Sequence, residues 1–377
     1  MSMRVLMTGG GTAGHINPAL TIAAAVQEEW PDCEVLFVGT HDRMETRLVP
    51  AAGYNLVTMK INGFWRSLSP KAMVHNAKAA WQAAMADSKA AKIINEFRPD
   101  IAIGTGGYVC GPILRRAAKM GIPVVLHESN ALPGVTVKML SKWATVCVAE
   151  EAAKAHLPAD TETVVTGNPL PPDFHQINKQ EARARLGLDE RPVVLSFGGS
   201  LGASAINCAM TGVLEKSVRE GKLQHIHGAG SSGFAAMCEA LEKADVPIKG
   251  RGIHVREYID NMKDCMAAAD LVICRCGAMT LTELQACGKP SILIPSPYVA
   301  ENHQFHNAQA LVRRDAAVCI EEKDLTAAAL WDAIVKITAD PATLFTMGEN
   351  ARKGAVLDAK DRILAVVKTA LKTKKTP

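Results

Sequence analysis

The chain has 377 residues, of which 48% are hydrophobic and 21% charged, a balance that builds buried cores and excludes disordered, collagen-like and disulfide-stapled architectures. At ~150 residues per domain it has room for two or three domains. The formal charge is +4, but Arg362, Lys368, Lys372, Lys374 and Lys375 stand without an acid in the last sixteen residues, so the remainder is near neutral and predicts no broad nucleic-acid footprint.

Met1 to Met7 runs after a few apolar residues into Gly9, Gly10 and Gly11, too soon for an export signal or a membrane-spanning helix. Short β-branched runs then alternate with helical patterns, the signature of parallel sheets with crossover helices. Strands are expected at 5–7, 35–38, 56–59, 101–103, 124–127, 146–148 and 164–165. A second series is expected at 193–197, 225–227, 254–256, 271–274, 291–294 and 318–320, followed by closing helices. The two series open alike, each with a strand running into a glycine turn before a helix. The proline-dense Gly167-Asn168-Pro169-Leu170-Pro171-Pro172-Asp173 predicts the boundary between two doubly wound α/β halves. The expected domains are 1–166, 167–352, and a closing helix with a basic tail, 353–377, that packs back on the first half. Two such halves facing each other place a ligand cleft between the carboxyl ends of their sheets.

Ten cysteines without an export signal read as reduced thiols, and Cys274-Arg275-Cys276 is too compact for a tetrahedral metal site, so no metal and no cofactor are expected. Residues 60–119 carry ten cations against Asp87, Glu96 and Asp100, a charge that favours an anionic membrane surface or a diphosphate. Within this stretch, Leu68 to Ile94 carries apolar residues among lysines, spaced either for an interfacial patch or for a plain core helix.

The chemistry concentrates in glycine turns. Gly9-Gly10-Gly11-Thr12-Ala13-Gly14-His15 follows a strand and opens a helix with Pro18 in its first turn. Its glycines admit close backbone approach, and the helix terminus offers amides to a phosphate. At that positive terminus the imidazolium of His15 is disfavoured, which leaves a neutral ring able to accept a proton. Gly104-Thr105-Gly106-Gly107-Tyr108 forms a second anion-binding turn, and His127-Glu128-Ser129-Asn130 closes the next strand with an amide for a polyhydroxyl ligand. In the second half, Gly198-Gly199-Ser200-Leu201-Gly202 repeats the phosphate cradle. Arg275 precedes Ala278, Met279, Thr280, Leu281, Thr282 and Glu283, with amides for a phosphate and a carboxylate for ribose hydroxyls. Glu301-Asn302-His303-Gln304 adds a polar knot. No Asp-x-Asp pair is present, which assigns charge neutralisation of a leaving diphosphate to helix termini and Arg275.

In their order along the chain, Gly9 to His15 with Asn17-Pro18-Ala19-Leu20, Gly106-Gly107-Tyr108, His127 to Asn130, Gly167-Asn168-Pro169, Gly198-Gly199-Ser200, Tyr258-Ile259, Arg275 to Glu283, and His303-Gln304 with Asn307-Ala308 resemble the MurG-type glycosyltransferases of peptidoglycan synthesis. The resemblance implies a GT-B fold of two Rossmann-like parallel-sheet domains, the first taking the acceptor and the second mainly UDP-GlcNAc. It implies inverting transfer of GlcNAc to the MurNAc 4-hydroxyl of undecaprenyl-pyrophosphoryl-MurNAc-pentapeptide (lipid I), giving lipid II and UDP. By position, Thr12, Ala13, Gly14, Asn130, Ser200, Ile259, Ala278 to Glu283 and Gln304 would contact the donor, with Ile259 holding uracil through its backbone and Glu283 the ribose. Gly10, Gly11, Gly106, Gly107 and Tyr108 would face the acceptor diphosphate, and His15 would be the base. The resemblance also implies peripheral attachment to the cytoplasmic face of the cell membrane, with cell-wall synthesis and division proteins as partners. The family has an arginine where Pro171 stands, serine at Cys276 and glutamine at Ser129.

Two other activities fit parts of the pattern. A GT-B UDP-GlcNAc 2-epimerase would share the nucleotide site without needing a lipid. A nicotinamide oxidoreductase fits Gly9, Gly11 and Gly14 as Gly-x-Gly-x-x-Gly but lacks the acid at the end of the second strand, Val38-Gly39-Thr40. Pro171 also leaves open nucleotide binding without turnover.

Overall fold

The computed structural model describes residues 2–41, 43–61, 85–171, 174–199, 201–299 and 302–373. They fall into two compact units, Met1–Leu170 with Val356–Pro377, and Pro171–Ala355.

The first unit runs β1 (Arg4–Thr8), α1 (Ala13–Glu29), β2 (Glu34–Thr40), α2 (Glu45–Ala51), β3 (Asn55–Met59), α3 (residues 85–97), β4 (Ile101–Gly104), α4 (Cys110–Lys119), β5 (Val124–Glu128), α5 (Val135–Leu140), β6 (Thr145–Val148) and β7 (Thr163–Val165). Its sheet has the order β3-β2-β1-β4-β5-β6-β7 with every neighbouring pair parallel. Val5, Leu6 and Met7 point to alternate faces and all are fully buried, because crossover helices cover both sides of a parallel sheet. Leu6 packs with Ile94, Ile113 and Leu126 on one face, and Met7 with Ile16, Ile22 and Ile101 on the other.

The second unit runs α6 (Lys179–Leu186), β8 (Val193–Phe197), α7 (Ser204–Glu220), β9 (Gln224–Gly228), α8 (Phe234–Lys243), β10 (Lys249–Gly250), β11 (Ile253–Arg256), α9 (Met262–Ala268), β12 (Leu271–Cys274), α10 (Ala278–Cys287), β13 (Ser291–Leu293), α11 (His303–Val312), β14 (Ala317–Cys319), α12 (Ala327–Thr338) and α13 (Pro341–Arg352). The order is β10-β11-β9-β8-β12-β13-β14, parallel except for β10 against β11. The pattern of apolar runs does not announce β10, since its two residues, Lys249 and Gly250, are exposed and carry no apolar run. Helix ends follow local signals. The Asn178 side chain accepts from the amides of Gln180 and Glu181, and Gly187 ends the same helix in the left-handed region.

The chain then returns to the first unit as α14 (Ala359–Lys372), whose Ile363 and Val367 complete the core around Met7 and Ile16. Lys360 and Lys368 of this helix pair with Glu28 and Glu29 at the end of α1.

The strand order reverses between β1 and β4 in the first sheet and, within the parallel part of the second, between β8 and β12. Such reversals open a crevice beyond the strand ends where parallel-sheet proteins hold ligands. The turns flanking these two points are the glycine-rich ones.

One expectation changes. α1 begins at Ala13, so Pro18 lies past its first turn and the Gly14 carbonyl lacks its usual amide partner. Of the apolar stretch from Leu68 to Ile94, residues 68–84 lie outside the described residues. In the described part, Met85 is exposed, whereas Ala86, Ala90, Ile93 and Ile94 turn into the core. Among the described residues no helix is long and apolar enough to cross a membrane.

Candidate functional site

In the first unit the turns after β1 and β4 are built against each other. The Gly10 amide donates to the Gly106 carbonyl at 3.4 Å. A Cβ on Gly107, whose φ is +89, would lie 2.5 Å from the Gly10 carbonyl oxygen, and one on Gly106, with φ +111, would lie 2.8 Å from the His15 ring. Only glycine permits both the approach and the backbone conformation.

His15 is half-buried in this junction. Its Nδ1 lies 3.1 Å from the Gly10 carbonyl oxygen and 3.4 Å from Thr12 Oγ1, and its own carbonyl accepts from Thr105 Oγ1 at 2.7 Å. A carbonyl only accepts, so this bond places the ring proton on Nδ1 and leaves a lone pair on Nε2.

The amides that remain without a protein acceptor differ from those expected. Gly10 N–H is taken by Gly106, and Gly11 N–H donates to Glu45 Oε2 at 3.1 Å, so neither faces outward to a diphosphate. Thr12 enters α1 extended and caps nothing with its side chain. Among the described residues, the amides of Ala13, Gly14, Gly106, Gly107 and Tyr108 have no protein acceptor. Tyr108 is 61% exposed beside them.

At the end of β5, the buried His127 donates from Nε2 to the Gly167 carbonyl at 3.1 Å, and burial lowers its pKa to about 4. It is therefore a neutral clamp. Glu128 is also buried and accepts from Asn130 N at 2.8 Å, Asn130 Nδ2 at 3.0 Å and Gly134 N at 2.7 Å. This fixes the Asn130 amide with its oxygen left for a ligand donor. The sequence gives Glu128 no role, because nothing local distinguishes an orienting acid from a solvated one.

In the second unit the turns after β8 and β9 meet glycine on glycine. A Cβ on Gly202 (φ +85) would stand 2.1 Å from the Ala229 carbonyl oxygen, whereas one on Gly199 (φ +96) would meet open space. Ser200 lies outside the described residues. Ile259 buries its side chain against Gly228, and its backbone amide and carbonyl have no protein partner among the described residues. α10 starts after Gly277 with no side-chain cap. The amides of Ala278, Met279 and Thr280 therefore stay open, and the helix dipole adds positive potential there. Leu281 is turned away from any ligand, with its side chain in the core and its amide bonded to the Gly277 carbonyl at 3.0 Å.

Glu283 is half-buried one turn into α10. Desolvation raises its pKa from 4.5 to about 7, and among the described residues nothing donates to its carboxylate. Thr282 Oγ1 donates back to the Ala278 carbonyl at 3.0 Å. Gln304 Oε1 accepts from Ser296 N at 2.9 Å and Cys276 N at 3.3 Å, and Asn307 Nδ2 donates to the Cys276 carbonyl at 3.2 Å, so α11 grips the peptide that leads into α10.

Arg275 has a different place from the one expected of a diphosphate contact. Its guanidinium is bonded to Glu322 and to the carbonyls of Ile294 at 3.3 Å and Pro295 at 3.2 Å, and it is largely buried. It anchors the strand end, which leaves charge neutralisation in this unit to the α10 terminus.

Comparison with known proteins matches two family models, the glycosyltransferase family 28 N-terminal domain over residues 5–148 and the family 28 C-terminal domain over residues 193–363. A protein of Acetivibrio thermocellus named UDP-N-acetylglucosamine--N-acetylmuramyl-(pentapeptide) pyrophosphoryl-undecaprenol N-acetylglucosamine transferase is 40% identical over 374 residues, covering 99% of both chains. The crystal structure of MurG from Acinetobacter baumannii superposes with a TM-score of 0.73 at 28% identity, covering 97% of this chain and 99% of that one. A UDP-GlcNAc 2-epimerase from Neisseria meningitidis, solved with UDP-GlcNAc bound, has a TM-score of 0.67 at 13% identity over 97% of this chain and 100% of its own, a likeness of fold alone.

Proposed function

The chain belongs to glycosyltransferase family 28, and on that premise we infer that it moves N-acetylglucosamine from UDP-GlcNAc to undecaprenyl-pyrophosphoryl-MurNAc-pentapeptide, giving lipid II and UDP in peptidoglycan synthesis. The full-length similarity to transferases of that name carries this conclusion.

The site residues take the following roles in our proposal. The MurNAc 4-hydroxyl attacks C1 of GlcNAc while its proton passes to the lone pair on His15 Nε2. The bond from C1 to the UDP oxygen breaks, its electron pair leaves with the diphosphate, and the anomeric centre inverts. Charge growing on the diphosphate is met by the open amides of Ala278, Met279 and Thr280, with Thr282 beside them. Glu283 accepts from the ribose hydroxyls, the backbone of Ile259 pairs with uracil, and Gln304, Ser200, Asn130, Thr12, Ala13 and Gly14 complete the donor contacts. Gly106, Gly107 and Tyr108 offer their amides to the acceptor diphosphate.

We further propose peripheral attachment to the cytoplasmic face of the membrane. Val135 and Met139, one turn apart on α5, and Trp143 in the short turn after it are exposed, and Lys142 stacks on Trp143 with its Nζ 4.3 Å from the ring centroid. Together they set exposed apolar side chains beside a cation, the combination that an anionic bilayer surface attracts.

The test is UDP release from UDP-GlcNAc by the purified protein, with and without a short-chain lipid I analogue, followed by mass analysis of the acceptor. Acceptor-dependent release with one HexNAc added is expected. Conversion of the donor to UDP-ManNAc without transfer would overturn the assignment.

A further inference from the structure

Glu45 opens α2, a helix of seven residues whose sequence reads as a surface element, yet the residue is fully buried. A buried carboxylate persists only where it is paired or hydrogen-bonded. Among the described residues no cation pairs with it. Its oxygens accept instead from Gly11 N at 3.1 Å, from Thr40 N at 2.8 Å and from the Thr40 hydroxyl. Room for the side chain is cut out of the backbone on both sides. A Cβ at Gly10 would fall 2.3 Å from Glu45 Oε1, and one at Gly39 would fall 2.6 Å from Glu45 Cγ.

We propose that Glu45 is a positioning residue of the transfer reaction, setting the first glycine turn and, through it, the tautomer and aim of His15. The chain of contacts is continuous. Glu45 ties the Gly11 amide to the end of β2, which fixes the Gly10–Gly11 peptide with its carbonyl against His15 Nδ1. That carbonyl is what leaves the lone pair on Nε2. Glu45 itself lies behind the turn, out of reach of either substrate. The inference rests on His15 acting as the base.

Replacing Glu45 by glutamine keeps the shape but turns an N–H₂ group against one of three donors, so the Gly11 amide is released. The experiment uses the full-length protein with UDP-GlcNAc and a lipid I analogue. For Glu45→Gln, kcat is expected to fall ~10–100-fold, the scale of a displacement of about 1 Å in a catalytic group, with the dissociation constant of UDP unchanged. In combination with His15→Ala, Glu45→Gln should cost less than about a further 2-fold. The ¹⁵N resonances of His15 should move from one tautomer toward a mixture. Thr40→Val removes only the hydroxyl donor and is expected to act in the same direction more weakly, so it serves the same cycle if Glu45→Gln does not fold.

Equal loss with and without His15→Ala, or an unshifted His15 tautomer, would overturn the proposal. Wild-type turnover in His15→Ala would instead overturn the base assignment, and the ¹⁵N spectrum would then decide by itself whether Glu45 sets the ring.

Discussion

Ser196 Oγ lies 2.7 Å from His227 Nδ1, and across the same ring His227 Nε2 lies 3.1 Å from Asn207 Oδ1. An amide oxygen only accepts, so Nε2 carries the proton and Nδ1 accepts from the serine hydroxyl. Asn207 passes the constraint on, donating from Nδ2 to the Ala229 carbonyl at 2.8 Å, the same carbonyl that crowds Gly202. A neutral histidine thus sits beneath the glycine turn of the second unit.

Acid should therefore unfold the protein early. Burial lowers the pKa of His227 and His127 to about 4 and that of His225 to about 3, whereas in the unfolded chain they titrate near ~6.5. The unfolded state binds more protons as pH drops, so their contribution is intact above ~6.5 and is lost progressively down to the folded values. Glu283 works oppositely. Its raised pKa favours the fold as pH falls from about 7 to 4.5, offsetting part of the loss. A net loss on the order of several kcal/mol is expected, read as a lower urea midpoint at pH 4.5 than at pH 7; equal midpoints would contradict it.

His15→Ala removes the lone pair that takes the acceptor proton. kcat should fall roughly 10²–10⁴-fold, the usual range for a general base, while UDP affinity, measured calorimetrically, stays within about 2-fold. Turnover at the wild-type rate would exclude His15 from proton transfer.

Glu283 must be ionised to accept from two ribose hydroxyls, and with a pKa raised to about 7 by desolvation it is part-protonated in the unliganded protein. UDP affinity should weaken as pH falls below about 7, and binding near pH 6 should release protons, seen as a dependence of calorimetric heat on the buffer's ionisation enthalpy. Glu283→Gln should abolish the release and weaken UDP binding about tenfold, a loss of ~1.4 kcal/mol.

Gly202→Ala and Gly199→Ala form a contrasting pair. Both positions have positive φ, but only at residue 202 does the added carbon strike a carbonyl. Gly199→Ala should cost ~1–2 kcal/mol of stability from backbone conformation alone, and Gly202→Ala more, with a measurable loss of UDP affinity. Similar melting temperatures for the two variants would refute the packing argument.

Strands and glycine turns were readable because they are written locally. β-branched runs such as Val193-Val194-Leu195 are buried on both faces, and the turns at Gly9 and Gly198 follow directly on strands. The residues that hold those turns in place were not readable. Glu45 looks like any first-turn acid until the fold buries it. Arg275 looks like a ready cation until Glu322, far along the chain, meets it. Asn207 and His227 acquire meaning only once α7 crosses β9. Each depends on a partner from a different element, and spacing along one element carries no trace of it.

The return of α14 to the first unit has a consequence for biosynthesis. The second unit is an insertion between the two segments that make up the first, and the helix carrying Ile363 and Val367 leaves the ribosome only after that insertion. While the insertion is translated, roughly ten to forty seconds at ~5–20 residues per second, Ile16, Ile22 and Val26 of α1 lack the apolar neighbours that finally cover them. The unit begun before the insertion is thus completed only after it, and its nascent form carries an uncovered apolar face to which a holdase chaperone can bind.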